Sequence, residues 1–377
     1  MKRFLPTARL LALSLCISLL VSCGPKPGTS SGSVSGSASG SSSGSASASQ
    51  SAAETPPLSR EERIREMARN RVRDLVKEAA AIVTANPVKG ESTKVTSYKS
   101  LERTLYQGLT DSQKKVYDTL LVKVQNLEPF AYTAKEDGHP AMNDLVAAAY
   151  ALSWDYPLYD CYYNLNEVMD GLDTAAVEVR YFFPTDPDMI AVTSPDELEN
   201  LREEIDIFKA QCQAIVDGMP ENLSAYDQYR YLATYISLCT EYDYDRIGGP
   251  ATYTAYGAIQ SGFSVCQGYA LGLLLLCQTA DLWCTHISGS IHREDGFIAH
   301  SWNLVQLEDG TYHVDVTWSD NGFNSPDHLD WFRYFMINQE HMTYDHIVDQ
   351  GTRSTGSREI VSPYGPVLFP EPEPAMG

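Results

Sequence analysis

The run Leu271-Gly-Leu-Leu-Leu-Leu276 is apolar on every side. A helix without a polar stripe has no face to show to water and reads as fully buried. The chain is therefore expected to fold around this segment. Just upstream stands Gly262-Phe-Ser-Val-Cys266-Gln-Gly-Tyr-Ala270, which puts Cys266 in the first turn of the buried helix. Unpaired N–H groups and the helix dipole favour negative charge there, which lowers a thiol's pKa and makes it a nucleophile at neutral pH. Cysteine is also among the most buried residue types, and a small residue opening a core helix has the same appearance. This stretch alone leaves both readings open.

A thiolate that transfers acyl groups needs an imidazole within hydrogen-bond reach, and the imidazole needs an orienting partner. Downstream lie His300-Ser-Trp-Asn-Leu-Val, then Asp309-Gly310, then Thr311-Tyr-His-Val-Asp315-Val-Thr-Trp318. Both flanks alternate apolar and polar residues around a turn signal, which predicts a β-hairpin with His300 on one strand and Asp315 on the other. A two-residue turn at Asp309-Gly310 would set Asp315 opposite Leu304, about 13 Å along the strand from His300 at ~3.3 Å per residue. Contact between the two side chains then requires a longer turn or a bulge that slips the register by two to four positions.

Taken in order, Val265-Cys-Gln-Gly-Tyr-Ala270, His300-Ser-Trp-Asn303 and Tyr312-His-Val-Asp-Val-Thr-Trp318 resemble the core of the transglutaminase-like superfamily, in its bacterial secreted form. The connecting pieces Tyr253-Thr-Ala-Tyr256 and Ala280 to Gly289 fit the same pattern, and the resemblance spans about Ser224 to His346. It implies an α+β, papain-like fold with Cys266 as nucleophile, His300 as general base then acid, and Asp315 as the orienting carboxylate. The Cys266 backbone N–H would serve as an oxyanion donor. Family members add an upstream side chain, here Tyr253, Tyr256 or Gln260. Ser301 stands where alanine is frequent, without consequence for the triad.

The N-terminus bears on the compartment. Lys2, Arg3 and Arg9 precede an apolar run from Leu10 to Val21, too short to span a bilayer comfortably. It ends in Leu20-Val-Ser-Cys23, which resembles a bacterial lipobox with Cys23 as the lipidated residue. From Gly28 to Ala53 the chain is nearly all Ser, Gly and Ala, a flexible leash unable to bury enough apolar surface to fold. The expected organisation is a signal peptide over 1–22, a lipidated linker over 23–58 and a mostly helical region over 59–220. A transglutaminase-like domain over 221–365 and a Pro/Glu-rich tail over 366–377 follow. The protein is then extracytoplasmic and touches the membrane through its lipid alone. A formal charge of −21 repels phosphate backbones and argues against a nucleic-acid partner.

Within the mature chain remain Cys161, Cys212, Cys239, Cys266, Cys277 and Cys284, without the spacing of a disulfide-dense mini-domain and without a C-x-x-C pair. Helix signals stand at Ser59 to Glu62, Thr110 to Gln113 and Ser194 to Glu197, with further helical runs over Met142 to Leu152 and Tyr226 to Ile236. Ala176 to Phe183 reads as strand, and other strands gather after Trp283. Trp302 and Trp318 read as hairpin core that flanks the triad. His286, His292, His313 and Asp295 lack metal-site spacing, as does Glu340-His341 with His346, and no metal or other cofactor is expected. Gly289 to Gly296 reads as a loop beside the site, and the tyrosines from Tyr156 to Tyr163 as half-buried packing. The function expected is a surface cysteine enzyme that attacks a protein or peptide amide through a thioester, with hydrolysis favoured over cross-linking. The competing expectation is a non-catalytic surface module on the same fold that binds wall material or a protein.

Overall fold

Local chemistry fixes where the helices start. The computed structural model describes residues 58–85, 103–128, 130–133, 142–170, 173–293, 296–320, 334–343 and 345–348. The signal segment, Cys23, the Ser/Gly leash up to residue 57 and the 366–377 tail lie outside them. Helix α1 (Arg60–Ala85) opens on a reciprocal pair in which Glu62 N–H donates to Ser59 Oγ at 3.2 Å and Ser59 N–H to Glu62 at 2.8 Å. Capping boxes at Thr110/Gln113 and Ser194/Glu197 open α2 (Asp111–Asn126) and α4 (Pro195–Asp217), at the positions the sequence predicts. Between these lies α3 (Met142–Asp155), and α5 (Ala225–Cys239) follows on the Ser224 cap.

α1 packs and does not project. It buries Ile64, Ala68, Val72, Ala79 and Val83, one stripe at helical spacing, and Arg230 of α5 donates to the Val83 carbonyl at 2.6 Å. The region before residue 221 is less purely helical than its sequence implies. It also holds an antiparallel sheet of β1 (Phe130–Thr133), β2 (Tyr163–Asp170) and β3 (Asp173–Tyr181) in the order β1-β3-β2. Only β3 is legible in advance; β2 carries Asn164, Asn166 and Glu167, which hide its strand character. In the Tyr156–Tyr163 stretch, Tyr162 and Tyr163 are buried, and Tyr162 packs edge-on to Phe208 of α4.

Two short strands, β4 (Glu241–Tyr242) and β5 (Phe263–Ser264), pair in parallel and bring the segment before Cys266 back to the end of α5. Next comes α6 (Cys266–Thr279), buried all round from Gly268 to Cys277 as its composition requires. Strands β6 (Cys284–Arg293), β7 (Gly296–Leu307), β8 (Gly310–Val314), β9 (Phe335–Ile337) and β10 (His346–Val348) form an antiparallel sheet in the order β10-β6-β7-β8-β9. The class is α+β. One apolar cluster runs through the whole assembly, from Val72 to Met342.

The residues Gly289 to Gly296 correct an expectation. Of these, Gly289 to Arg293 continue β6 and Gly296 begins β7, where the sequence reads as a loop. Polar residues at the hairpin end masked the alternation that buries Ile287 and Ile291. No helix among the described residues is long and apolar enough to cross a membrane.

Candidate active site

The β7–β8 hairpin resolves the register question. Leu307 pairs with Gly310, Leu304 with His313 and Asn303 with Val314. The two-residue turn is therefore Glu308-Asp309, one position earlier than the Asp-Gly dipeptide suggests. Gly310 opens β8 with a positive φ of 157°, a conformation glycine accepts without a Cβ clash. Moving the turn back by one residue slips the register by two, at the small end of the range that contact needs. Asp315 gains the rest by leaving the strand: its N–H bonds to Tyr334 O at 2.8 Å, and it caps the single turn Val316–Ser319.

His300 and Asp315 are brought together. His300 Nε2 lies 2.7 Å from Asp315 Oδ2, with 2% and 0% of the two residues exposed. Because the carboxylate only accepts, Nε2 carries the proton, which leaves Nδ1 as the basic nitrogen. His300 Nδ1 is buried and makes no hydrogen bond among the described residues. The Trp302 ring stacks on His300 at 5.9 Å between centroids and Trp318 lies tilted at 6.0 Å, so both indoles wall the imidazole.

Cys266 is the first residue of α6 and is itself buried. The segment before it is held firmly: Val265 N–H and Ser264 Oγ both donate to Thr252 O, at 3.1 and 2.7 Å. Helix and His300 strand are tied by Asn303 Nδ2, which donates to Ala270 O at 2.9 Å. Ala270 is about one helical turn from Cys266, and Asn303 is three residues along β7 from His300. Of the upstream oxyanion candidates, Tyr256 is turned away. Its hydroxyl donates to Glu204 at 2.9 Å and its ring packs on Phe208. Tyr253 stays beside the thiol: burial raises its phenol pKa, Arg246 opposes that, and Asp243 and Cys266 add to it.

A residue that sequence reasoning missed completes the cluster. His346 Nε2 lies 3.1 Å from the same Asp315 Oδ2, while its Nδ1 lies 2.6 Å from Asp345 Oδ1. Asp315 Oδ1 accepts from Trp318 N–H at 3.1 Å. Burial pushes the Asp315 carboxyl upward, but the charges and hydrogen bonds of His300 and His346 outweigh it and hold it well below the usual range. Donor atoms of His300, Asp315 and His346 all lie within 4.8 Å of one another, close enough to surround a cation. Their facing nitrogens are already engaged with the carboxylate, so the cluster is complete as a hydrogen-bonded chain.

The other histidines lie apart from this chain. His313 accepts from the Trp302 indole at 2.9 Å and contacts Gln339 at 2.7 Å. Burial lowers its pKa to about 4, with the Gln339 bond opposing and His346 adding to the shift. His286 packs on Trp154 at 4.0 Å, and His292 is on the exposed end of β6. None of the six described cysteines is in a disulfide among the described residues.

What fold and site define is an α+β protein with a buried His–Asp pair beside a helix that begins at a cysteine. No family model and no curated protein matches the chain. Among solved structures it is similar to a candidate cysteine protease from Cytophaga hutchinsonii, 16% identical over 38% of this chain and 51% of that one, with a TM-score of 0.26. It is also similar to a TGase (transglutaminase), 10% identical over 55% of this chain and 58% of that one, again with a TM-score of 0.26. The chain thus spans between half and three-fifths of the length of each.

Proposed function

We propose that this chain is a transglutaminase-like cysteine enzyme in which Cys266 attacks an amide carbonyl, His300 moves the proton and Asp315 orients His300. The observation that carries the reading is the 2.7 Å contact between His300 and Asp315, which turns Nδ1, without a hydrogen bond among the described residues, away from the carboxylate. In such a reaction the Cys266 sulfur forms a thioester as the amide C–N bond breaks. The proton held by His300 goes to the departing amine. Water, or a second amine, then attacks the thioester, loses a proton to His300 and frees the thiol. The Cys266 N–H at the helix start is suited to the tetrahedral oxyanion, and the Tyr253 position suits a second donor. A buried site strengthens each of these charge interactions.

Hydrolysis of protein or peptide amides is favoured over cross-linking, and no cofactor is needed for either step. We further propose that Cys23 carries the lipid anchor and that the leash holds the domain outside the cytoplasm. The test pairs a thiol-reactive activity probe with a peptide library. Wild type is expected to label at Cys266 and to shorten peptides, with an amine adduct only when amine is added. Equal labelling of wild type and Cys266→Ala, with the library unchanged, would sink the enzyme reading and leave a binding module on the same fold.

A further inference from the structure

The mechanism above uses one imidazole, yet Asp315 holds two. A neutral histidine has one N–H and one lone pair. Both nitrogens of His346 face carboxylate oxygens, Asp315 at 3.1 Å and Asp345 at 2.6 Å. With one proton, a lone pair would point at a buried anion; with two, each nitrogen donates. Between two carboxylates, the imidazolium is the form that satisfies both nitrogens. On its far side Asp345 is held in turn, because Tyr334 donates its hydroxyl to Asp345 Oδ2 at 2.5 Å. The result is a continuous chain, His300–Asp315–His346–Asp345–Tyr334.

The fold is shaped for this contact. β10 and β8 are three strand steps apart in the sheet order, about 14 Å in a flat sheet at ~4.8 Å per step. His346 nevertheless reaches Asp315, because the surface over β6 is cleared at Gly289, the residue paired with His300. A Cβ there would lie 2.2 Å from Ile347 O and 2.5 Å from the Trp302 ring. Glycine lets the Ile347 carbonyl of the paired strand β10 and the Trp302 ring approach β6 this closely, next to His346.

We propose that His346 is a positioning residue: an imidazolium clamped between Asp315 and Asp345 whose fixed charge holds Asp315 and sets the pH range over which His300 and Cys266 react. This rests on the reading of Cys266, His300 and Asp315 given above. Burial opposes the charged form of His346, but the bonds and charges of Asp315 and Asp345 prevail and raise its pKa. The other groups that face it are His300 on β7 at 5.3 Å between ring centroids, Tyr334 ahead of β9 at 5.4 Å, Trp302 and Trp318. His313 on β8 is near enough that His346 lowers its pKa further. A positive charge on His346 stabilises the Asp315 carboxylate it clamps and opposes further positive charge on His300, whose ring centroid is 5.3 Å away.

The experiment measures the rate of Cys266 alkylation by iodoacetamide against pH, read by mass spectrometry of the Cys266 peptide. Full-length wild type, His346→Gln and Asp345→Asn are compared, with Cys266→Ala as the blank. The acid limb of the profile is expected about one pH unit or more higher in His346→Gln. Asp345→Asn should move it the same way by less, since His346 then loses its proton more easily. Imidazole nitrogen NMR of the wild type forms a second arm that needs no variant to fold. His346 should carry protons on both nitrogens at pH 7 while His300 shows Nε2–H. A folded His346→Gln with an unshifted limb, or a singly protonated His346 at pH 7, overturns the proposal. A wild type that is never alkylated at Cys266 overturns the nucleophile reading itself and takes this proposal with it; the two failures are therefore distinct.

Discussion

His346 and His286 are each 1% exposed and belong to the same five-stranded sheet, yet their surroundings drive them in opposite directions. His286 has Trp154 over its ring and, among the described residues, no hydrogen bond at either nitrogen. Burial, with a smaller push from His300, lowers its pKa to about 3. His346 meets a carboxylate at each nitrogen, and the same burial is overcome. Desolvation alone therefore makes a histidine inert in this sheet; a carboxylate at each of its two nitrogens makes it a charge. Asp315 is the pivot, because both His300 and His346 depend on it.

The largest effect should come from breaking that pivot. Asp315→Asn removes the charge that fixes the His300 tautomer and half of what keeps His346 protonated, so His346 comes to resemble His286. Turnover of an amide substrate is expected to fall about 10⁴-fold, the cost of losing the orienting carboxylate in a triad. Unfolding by urea should show a loss of about 3 kcal/mol or more, since a buried ion pair loses one partner. A variant with near-normal turnover would remove Asp315 from the mechanism.

Gly289→Ala attacks the route by which His346 arrives and spares its chemistry. The new methyl group collides with the Ile347 carbonyl and the Trp302 ring, and a backbone atom cannot rotate aside. About 3 kcal/mol of stability should be lost, the upper part of the usual overpacking range. Faster amide exchange should be confined to β10 and its neighbour β6. If β10 stays protected and the pH profile is unmoved, then His346 does not depend on this opening.

These two variants also mark what the sequence makes legible. Cys266 stands out because an apolar helix directly follows it, and His300 and Asp315 because each lies in an alternating strand. All three announce themselves through local pattern. The register between the last two does not, because Asp309-Gly310 carries a stronger turn signal than Glu308-Asp309 and yet is not the turn. His346 sits in Tyr344-Asp-His-Ile, a stretch with no spacing rule. It comes near Asp315 only through the pairing of β10 with β6 beside Gly289, a relation between strands distant in sequence. Capping boxes fix α2 and α4 from four residues each, whereas β1 forms by long-range pairing with β3, and β2, its hairpin partner, is hidden by the polar residues it carries.

The smallest effect tests the inert member of the comparison. His286→Leu replaces an imidazole that makes no hydrogen bond among the described residues by an apolar side chain of similar bulk, so at pH 8 the variant should match wild type or exceed it by about 1 kcal/mol. The sign of the pH dependence follows from the lowered pKa. The unfolded chain takes up a proton at His286 below about 6.5, while the folded protein does not until about pH 3. Stability from this residue is therefore whole above pH 6.5 and lost as the pH falls toward 3, at up to about 1.4 kcal/mol per pH unit. Leucine carries no such penalty, so its advantage should widen on acidification. Absolute curves would blur this, since burial raises Asp155 and Asp160 to about 7 and about 6 and these groups lose stability as the pH rises. The difference between variant and wild type cancels both. Urea titrations at pH 8, 6 and 5 decide the matter: a gap that does not change with pH would mean His286 is protonated or solvated in the fold. Because neutral His286 places no charge on His300, the Cys266 alkylation profile should be the same in both proteins, in contrast to the shift expected from His346→Gln.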